Sequence, residues 1–284
     1  MVPDANLAWL FTEVDWPDRF AAAAAAGFTG VEMPWPPVAL DDVAARLEEH
    51  GLSSVLVNVP VGEPGSEWAF GWACRPDAVD RFRETFTTAL AHAESTGTRF
   101  IHVLAGLCPP DLDHDLAYAT YRENLVWALD QLHADGPTLV VEAINRRDQP
   151  LFLLSGLTEA ARLVRSIANP RLRLLFDTFH CGVELLEAEK AGLRRTAIAE
   201  PSLGWSPTVA TVASRFAEMR DIVGHIQVGD APDRTDPGTG LIDFTAFFAA
   251  LRDLEWVGFV GGEYRPTAGT LAGLGWREEL TPHP

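Results

Sequence analysis

Eight short apolar runs recur along the chain, at about 5–10, 29–33, 53–58, 99–105, 138–142, 172–177, 223–228 and 257–263. Between them lie stretches of helical character, which is the signature of parallel βα units. Helices are expected at 17–26, 41–50, 76–96, about 116–134, 158–167, 208–221 and 243–254, with Gly27, Gly51 and Gly97 stopping the first three. Eight strands with helices between them predict a closed (β/α)8 barrel, a TIM barrel, as a single domain over 1–284. An open doubly wound sheet is the structural alternative. No short-period repeat and no low-complexity linker divides the chain. The interval after the sixth strand is roughly twice what one helix and short loops need. Its excess, about 184–207, predicts an insert on the C-terminal face of the barrel: a decorative helix, a lid or an oligomer contact.

Four of the runs end in a polar residue: Glu142 in TLVVEAIN, Asp177 in LRLLFDTFH, Gln227 in VGHIQVGD and Glu263 in VGFVGGEYRP. The C-terminal strand ends of a parallel barrel converge around one axis, so these side chains are expected to meet. Three carboxylates and a carboxamide brought together repel unless a cation joins them, and oxygen-rich sets suit Mg²⁺ or Mn²⁺. Glu142, Asp177, Gln227 and Glu263 are therefore the expected ligands of a divalent metal. Each carboxylate also has a bland reading as half of an ion pair, Glu142 with Arg146 or Arg147 and Glu263 with Arg265. Four such residues on successive strands favour one shared centre.

The bulk properties narrow the partners. A formal net charge of −18 argues against nucleic acid and against anionic membrane surfaces. No Gly-rich phosphate loop is present, and Lys190 is the only lysine available for Schiff-base chemistry. Cys74, Cys108 and Cys181 are widely spaced and read as free thiols. No apolar run approaches the length of a membrane span, and MVPDANLAWLF has no basic region before its apolar stretch, so a soluble cytoplasmic protein is expected.

Further residues can touch a substrate. His180, three residues after Asp177 on the expected strand-to-helix loop, can donate to a substrate oxygen, or serve structurally. Arg234, in the long loop GDAPDRTDPGTG, can clamp a substrate oxygen in two-point fashion, or be solvated. Asp148 can orient a ligand or an arginine. Trp9, Phe11, Trp35, Trp68, Phe70 and Trp72 lie near early strand ends, where aromatics wall pockets or pack the core. His225 precedes Gln227 by two and so faces inward with it, as does His102 near the mouth. His50, His92, His114, His133 and His283 are expected at the surface.

The segments VEAINRRD, FDTFHCG, GHIQVGDAPDRTDPGTG and VGGEYRP, with the opening ANLAWLFTE and then AAGFTGVEM, resemble the hydroxypyruvate isomerase family of xylose isomerase-like TIM barrels. The likeness spans nearly the whole chain, and the GHIQxxDxPxRxxPGTG pattern is specific. It implies aldose–ketose isomerisation, or epimerisation beside a carbonyl, through an enediolate. Glu142 and Glu263 match the family's acid/base glutamates, which also bind metal; Asp177 and Gln227 match the other ligands, and His180 and Arg234 match substrate contacts. Homo-oligomers are implied as well. Three positions depart from the pattern: Leu241 where a glutamate is usual, Phe70 where an arginine is usual, and Ala143 where a proline is usual. Loss of that arginine points toward a larger, less charged substrate such as a ketose or cyclic polyol. A lyase on the same site and a non-catalytic sugar-binding barrel are the alternatives.

Overall fold

In the computed structural model, which describes residues 1–192 and 211–280, the strands are β1 (Val2–Asn6), β2 (Gly30–Met33), β3 (Ser53–Asn58), β4 (Phe100–His102), β5 (Thr138–Glu142), β6 (Leu172–Asp177), β7 (Val223–Val228) and β8 (Phe259–Gly262). They pair in chain order, all parallel, and β8 pairs back onto β1. That closure excludes the open sheet. Around the barrel lie α1 (Arg19–Ala25), α2 (Leu40–His50), α3 (Val79–Thr96), α4 (His114–Asp130), α5 (Leu157–Ile167), α6 (Thr178–Lys190), α7 (Val212–Met219) and α8 (Phe244–Asp253).

Local chemistry sets the ends of these elements. Asp113 and Asp243 cap α4 and α8 by accepting from Leu116 N and Ala246 N. Thr211 and Ser214 form a reciprocal capping box at α7. Gly97 closes α3 at φ 64°, a left-handed position that glycine occupies without steric penalty. Outward-facing strand residues seal the barrel against the helices: Phe176 of β6 meets Phe216 of α7 at 5.5 Å and Phe247 of α8 at 6.1 Å between ring centroids.

Several elements differ from expectation. The first strand is Val2–Asn6 rather than 5–10. Asn6 ends it by turning the chain, its carbonyl accepting from Trp9 N and Leu10 N and its side chain from Ala8 N. The fourth strand stops at His102 instead of 105, because Ala105 O is taken by Cys74 N and the backbone turns at Gly106. Of the expected insert, 184–190 simply continues α6, and 193–207 lies outside the described residues, as does His283. His92 is buried rather than exposed: it follows Ala89 by three on the inner face of α3, its ring edge-on to Trp35. Among the described residues, no helix is long and apolar enough to cross a membrane.

Inside the barrel, alternation along each strand stacks side chains in layers. Leu56, Phe100, Val140, Leu175 and Phe259 close the N-terminal end. Two residues further along their strands come the polar inward positions, including His102, Glu142 and Asp177. Asp4, Glu32 and His225 are fully buried between these levels, their ligating atoms within 4.8 Å of one another. Gly261 makes room there, since a Cβ on it would lie 3.0 Å from the Glu32 carboxyl carbon.

Candidate active site

Glu142 and Asp177 are the last residues of β5 and β6, Gln227 is the penultimate residue of β7, and Glu263 follows β8 directly. Asp177 and Gln227 are register partners on adjacent strands. The strand ends converge as the sequence predicts, but the pairing there is specific. Asp177 caps α6, Oδ1 accepting from Phe179 N at 2.7 Å. Its other oxygen, Oδ2, receives Arg234 Nη2 at 2.7 Å, and the same nitrogen lies 3.0 Å from Glu263 Oε1. Arg234 is clasped between the rings of Trp9 and Phe179, at 4.5 and 4.9 Å from their centroids. Its loop is held by Asp230, whose carboxylate accepts from the backbone of Gly238, Gly240 and Ile242. So Arg234, expected to clamp a substrate, here bridges two carboxylates and forms a wall of the site.

The bland partners proposed for the glutamates are otherwise engaged. Arg146 donates to Ser155 Oγ, Arg147 pairs with Asp148, and Arg265 lies over Trp9. Glu142 Oε1 is buried with no hydrogen-bond partner, which in a carboxylate demands a cation or a proton. Its carboxyl is pushed well above the usual range by burial and then by Asp177 and Glu263. Burial raises Asp177 too, against the pull of Arg234. It raises Glu263 to about 8 against the same pull. Burial would lower the Arg234 guanidinium, but Glu263, Asp177 and Glu142 outweigh it and raise it further.

His180 lies in the first turn of α6, not on a loop, because α6 begins directly after Asp177. Its Nδ1 faces two donors, Asn145 N at 3.3 Å and Asn145 Nδ2 at 2.7 Å, so the ring proton belongs on Nε2. That Nε2–H stands 3.6 Å from Glu142 Oε1 and 3.7 Å from Asp177 Oδ2. Burial, reinforced by Arg234, holds His180 well below its usual pKa, so these are contacts of a neutral donor rather than ion pairs. His102, 3.7 Å from Glu142 Oε2, is pushed down to about 3 by burial and is likewise neutral.

Above the carboxylates opens a cavity of about 430 Å³ whose walls include Trp9, Phe70, Phe179, His180, Asp148 and Arg234. Of the residues expected to touch substrate, Trp9, Phe70, Asp148, His180 and Arg234 border one space, whereas Phe11, Trp35, Trp68 and Trp72 do not line it. Asp148 is tied to Arg147 and to Asn145 Nδ2. Burial opposes, but Arg147 and Asn145 hold its carboxyl below the usual range. Phe70 packs edge-on to Phe152 at 5.9 Å. A larger depression of about 920 Å³ lies at the opposite end of the barrel, among Arg99, Arg173, Asp221 and Glu255, and brings no buried carboxylate cluster to a cavity. Glu32, Asp4 and Asn145 belong to the site's network without having been singled out in the sequence. Glu32 carries a signal, a carboxylate within the apolar run GVEM.

The donor set suits a hard divalent cation. Glu142 and Asp177 supply oxygens within 4.8 Å of each other, joined in that volume by the imidazole of His180. The proton on His180 Nε2 makes that ring a donor; Gln227, near the end of β7, and Glu263, just after β8, stand at the neighbouring strand ends.

Residues 20–280 match the xylose isomerase-like TIM barrel family. The chain is 36% identical over 278 residues to the 2-oxo-tetronate isomerase of Cupriavidus necator, covering 96% of this chain and 95% of the relative. It is 31% identical to the hydroxypyruvate isomerase of Escherichia coli, over 96% of this chain and 97% of that one. Among solved structures it resembles an AP endonuclease, family 2, from Brucella melitensis, with a TM-score of 0.82, 28% identity and 99% of each chain covered.

Proposed function

The chain belongs to the xylose isomerase-like TIM barrel family, and from that premise we propose that it is a divalent-metal-dependent isomerase or epimerase. Its substrate is a small hydroxy-carbonyl compound, a hydroxypyruvate-like acid, a ketose or a cyclic polyol, and the reaction moves a proton through an enediolate. Relatives named 2-oxo-tetronate isomerase and hydroxypyruvate isomerase support the isomerase class. The observation that carries the chemistry is the pair Glu142 and Glu263, one buried and one partly buried carboxyl, both with raised proton affinity, Glu263 at about 8. A carboxyl so tuned can take a proton from carbon and return it near neutral pH.

In this reading Glu142, Asp177, Gln227 and Glu263 hold Mg²⁺ or Mn²⁺, which supplies polarisation of the substrate carbonyl and lowers the energy of the developing oxyanion. Glu142 and Glu263, from non-adjacent strands, exchange the carbon-bound proton with the two ends of the enediolate. His180 donates its Nε2 hydrogen to a substrate oxygen, as the tautomer set by Asn145 requires. Arg234, Trp9, Phe70, Phe179 and Asp148 shape the space above and exclude water. The endonuclease named for the Brucella neighbour has no support in the charge of this chain, since −18 repels a phosphodiester backbone.

The test combines metal content with proton exchange. Protein purified without chelator should carry about one divalent ion per chain by elemental analysis. A panel of hydroxypyruvate, 2-oxo-tetronate, ketoses and cyclic polyols in deuterated water should show enzyme-dependent incorporation beside a carbonyl for at least one member. Loss of water from the substrate would move the assignment to a lyase. Absence of both metal and exchange would withdraw it.

A further inference from the structure

We propose that Glu32 is a positioning residue that fixes the polarity of the Gln227 carboxamide, turning its oxygen toward the carboxylate cluster. The inference rests on the cation-binding reading above. Its ground is a chain of hydrogen bonds whose directions can each be decided. A backbone N–H can only donate, so Ala8 N, 3.0 Å from Asn6 Oδ1, fixes which end of the Asn6 amide is oxygen. Asn6 Nδ2 is then a donor, and it lies 3.0 Å from Glu32 Oε1. Oε1 must accept that bond, and it also faces the Gln227 amide at 2.7 Å. Gln227 therefore presents its NH₂ to Glu32. Its carbonyl oxygen is the end not held by Glu32, free to face the cluster to which its register partner Asp177 belongs.

The second Glu32 oxygen is engaged separately, 2.6 Å from His225 Nε2. Whichever of these two atoms carries the proton between them, Oε1 remains an acceptor; the third acid there, Asp4, is held toward its protonated form by burial and by Glu32. Glu32 and His225 are fully buried, which removes the water that would otherwise satisfy a flipped amide. Gly261 supplies the slot for the carboxyl, and β7 holds Gln227 in register beside Asp177. A glutamine is chemically ambiguous, able to offer either end. Against Glu32 it becomes an oxygen ligand with a defined direction, as outer residues do for metal-bound histidines and carboxylates.

The test is Mn²⁺ binding by calorimetry, alongside thermal unfolding, for the full chain and three variants. Glu32→Gln keeps an acceptor at the Oε1 position, because Asn6 Nδ2 still requires one there, so Mn²⁺ affinity should be largely retained. Asn6→Asp/Glu32→Gln reverses the chain: the carboxylate at position 6 needs a donor, the amide at position 32 turns its NH₂ there, and Gln227 must meet that NH₂ with its oxygen. In this double variant Mn²⁺ affinity should fall on the order of 10- to 100-fold. Glu32→Leu removes the acceptor altogether and should also bind weakly. A merely structural role would lower the melting temperature of the variants without separating Glu32→Gln from the other two in affinity. Should the double variant fail to fold, the comparison of Glu32→Leu with Glu32→Gln still decides. Equal affinity in Glu32→Gln and the folded comparison variant would overturn the positioning role while leaving the cation site standing. Absence of Mn²⁺ binding by the unsubstituted protein would remove the site and the role together.

Discussion

A single nitrogen, Arg234 Nη2, stands 2.7 Å from Asp177 Oδ2 and 3.0 Å from Glu263 Oε1. One guanidinium thus neutralises carboxylates from β6 and from the end of β8, two of the groups assigned here to a metal. Any divalent ion that binds these oxygens shares them with Arg234 or displaces it, so the cation and the arginine are energetically linked.

Arg234→Gln should therefore destabilise the chelator-treated protein by about 3–5 kcal/mol, the range found when one partner of a buried pair is removed. The loss should be smaller at pH 5, where the abandoned carboxyls can take up protons. Added Mn²⁺ should recover more stability in the variant than in the unsubstituted protein. Thermal unfolding at two pH values, with and without Mn²⁺, checks all three statements. Equal Mn²⁺ responses would show that arginine and ion do not compete.

The raised carboxyls predict a pH dependence with a definite sign. Glu263 titrates near 8 in the folded chain, well above its ordinary carboxylate value. Its protonated form contributes stability that is fully present below the unfolded value and is lost as pH rises toward about 8. Chelator-treated protein should accordingly lose stability across the range from about 4.5 to about 8. Metal affinity should run the other way, increasing as pH rises through that window, because the ion replaces the proton. Calorimetry in buffers of different ionisation enthalpy should register proton release on Mn²⁺ binding, and none would contradict the raised pKa.

Glu142→Gln and Glu263→Gln separate chemistry from folding. Each replaces a carboxyl whose protonated form burial already favours with a neutral amide of the same shape, so the melting temperature without metal should stay nearly level. Turnover should fall on the order of 10²–10⁴-fold or more, the contribution of a positioned general acid or base. Solvent-deuterium incorporation, followed by NMR, is the readout. Near-normal exchange in either variant would sink the proton-transfer role of that residue.

The barrel was legible because burial on both faces leaves parallel strands as short apolar runs, and the helix stops at Gly51 and Gly97 are chemical. Glu142, Asp177, Gln227 and Glu263 stood out for the same reason, as polar residues ending runs that are otherwise apolar. Glu32 obeys that rule too, yet it escaped, because period-two alternation gives the inward direction of a side chain but not its depth along the barrel axis. Asp4 was hidden by an error of register: ANLAWLF has strand composition, and the local turn that Asn6 makes with Ala8, Trp9 and Leu10 moves the strand three residues upstream. The Arg234 bridge depends on contacts 57 and 29 positions away in the chain, which no local pattern encodes. The burial of His92 against Trp35 is of the same kind.

Phe70 is the position at which specificity is most open to change. The hydroxypyruvate isomerase pattern places an arginine there, whereas here an aromatic ring borders the cavity and leans on Phe152. A charge-assisted hydrogen bond to a substrate carboxylate contributes about 1.5–3 kcal/mol, roughly ten- to a hundredfold in affinity. Phe70→Arg should therefore raise kcat/KM for hydroxypyruvate relative to a neutral ketose by on the order of tenfold or more. Loss of the Phe70–Phe152 contact should lower stability by only about 0.5–1.5 kcal/mol, since Phe70 is partly exposed. Paired kinetic assays on an acid and a neutral ketose decide the matter. If the ratio of kcat/KM values does not move while the variant stays folded, position 70 does not read substrate charge. Discrimination then falls to Arg147, Arg234 and Arg265, the arginines that border the cavity.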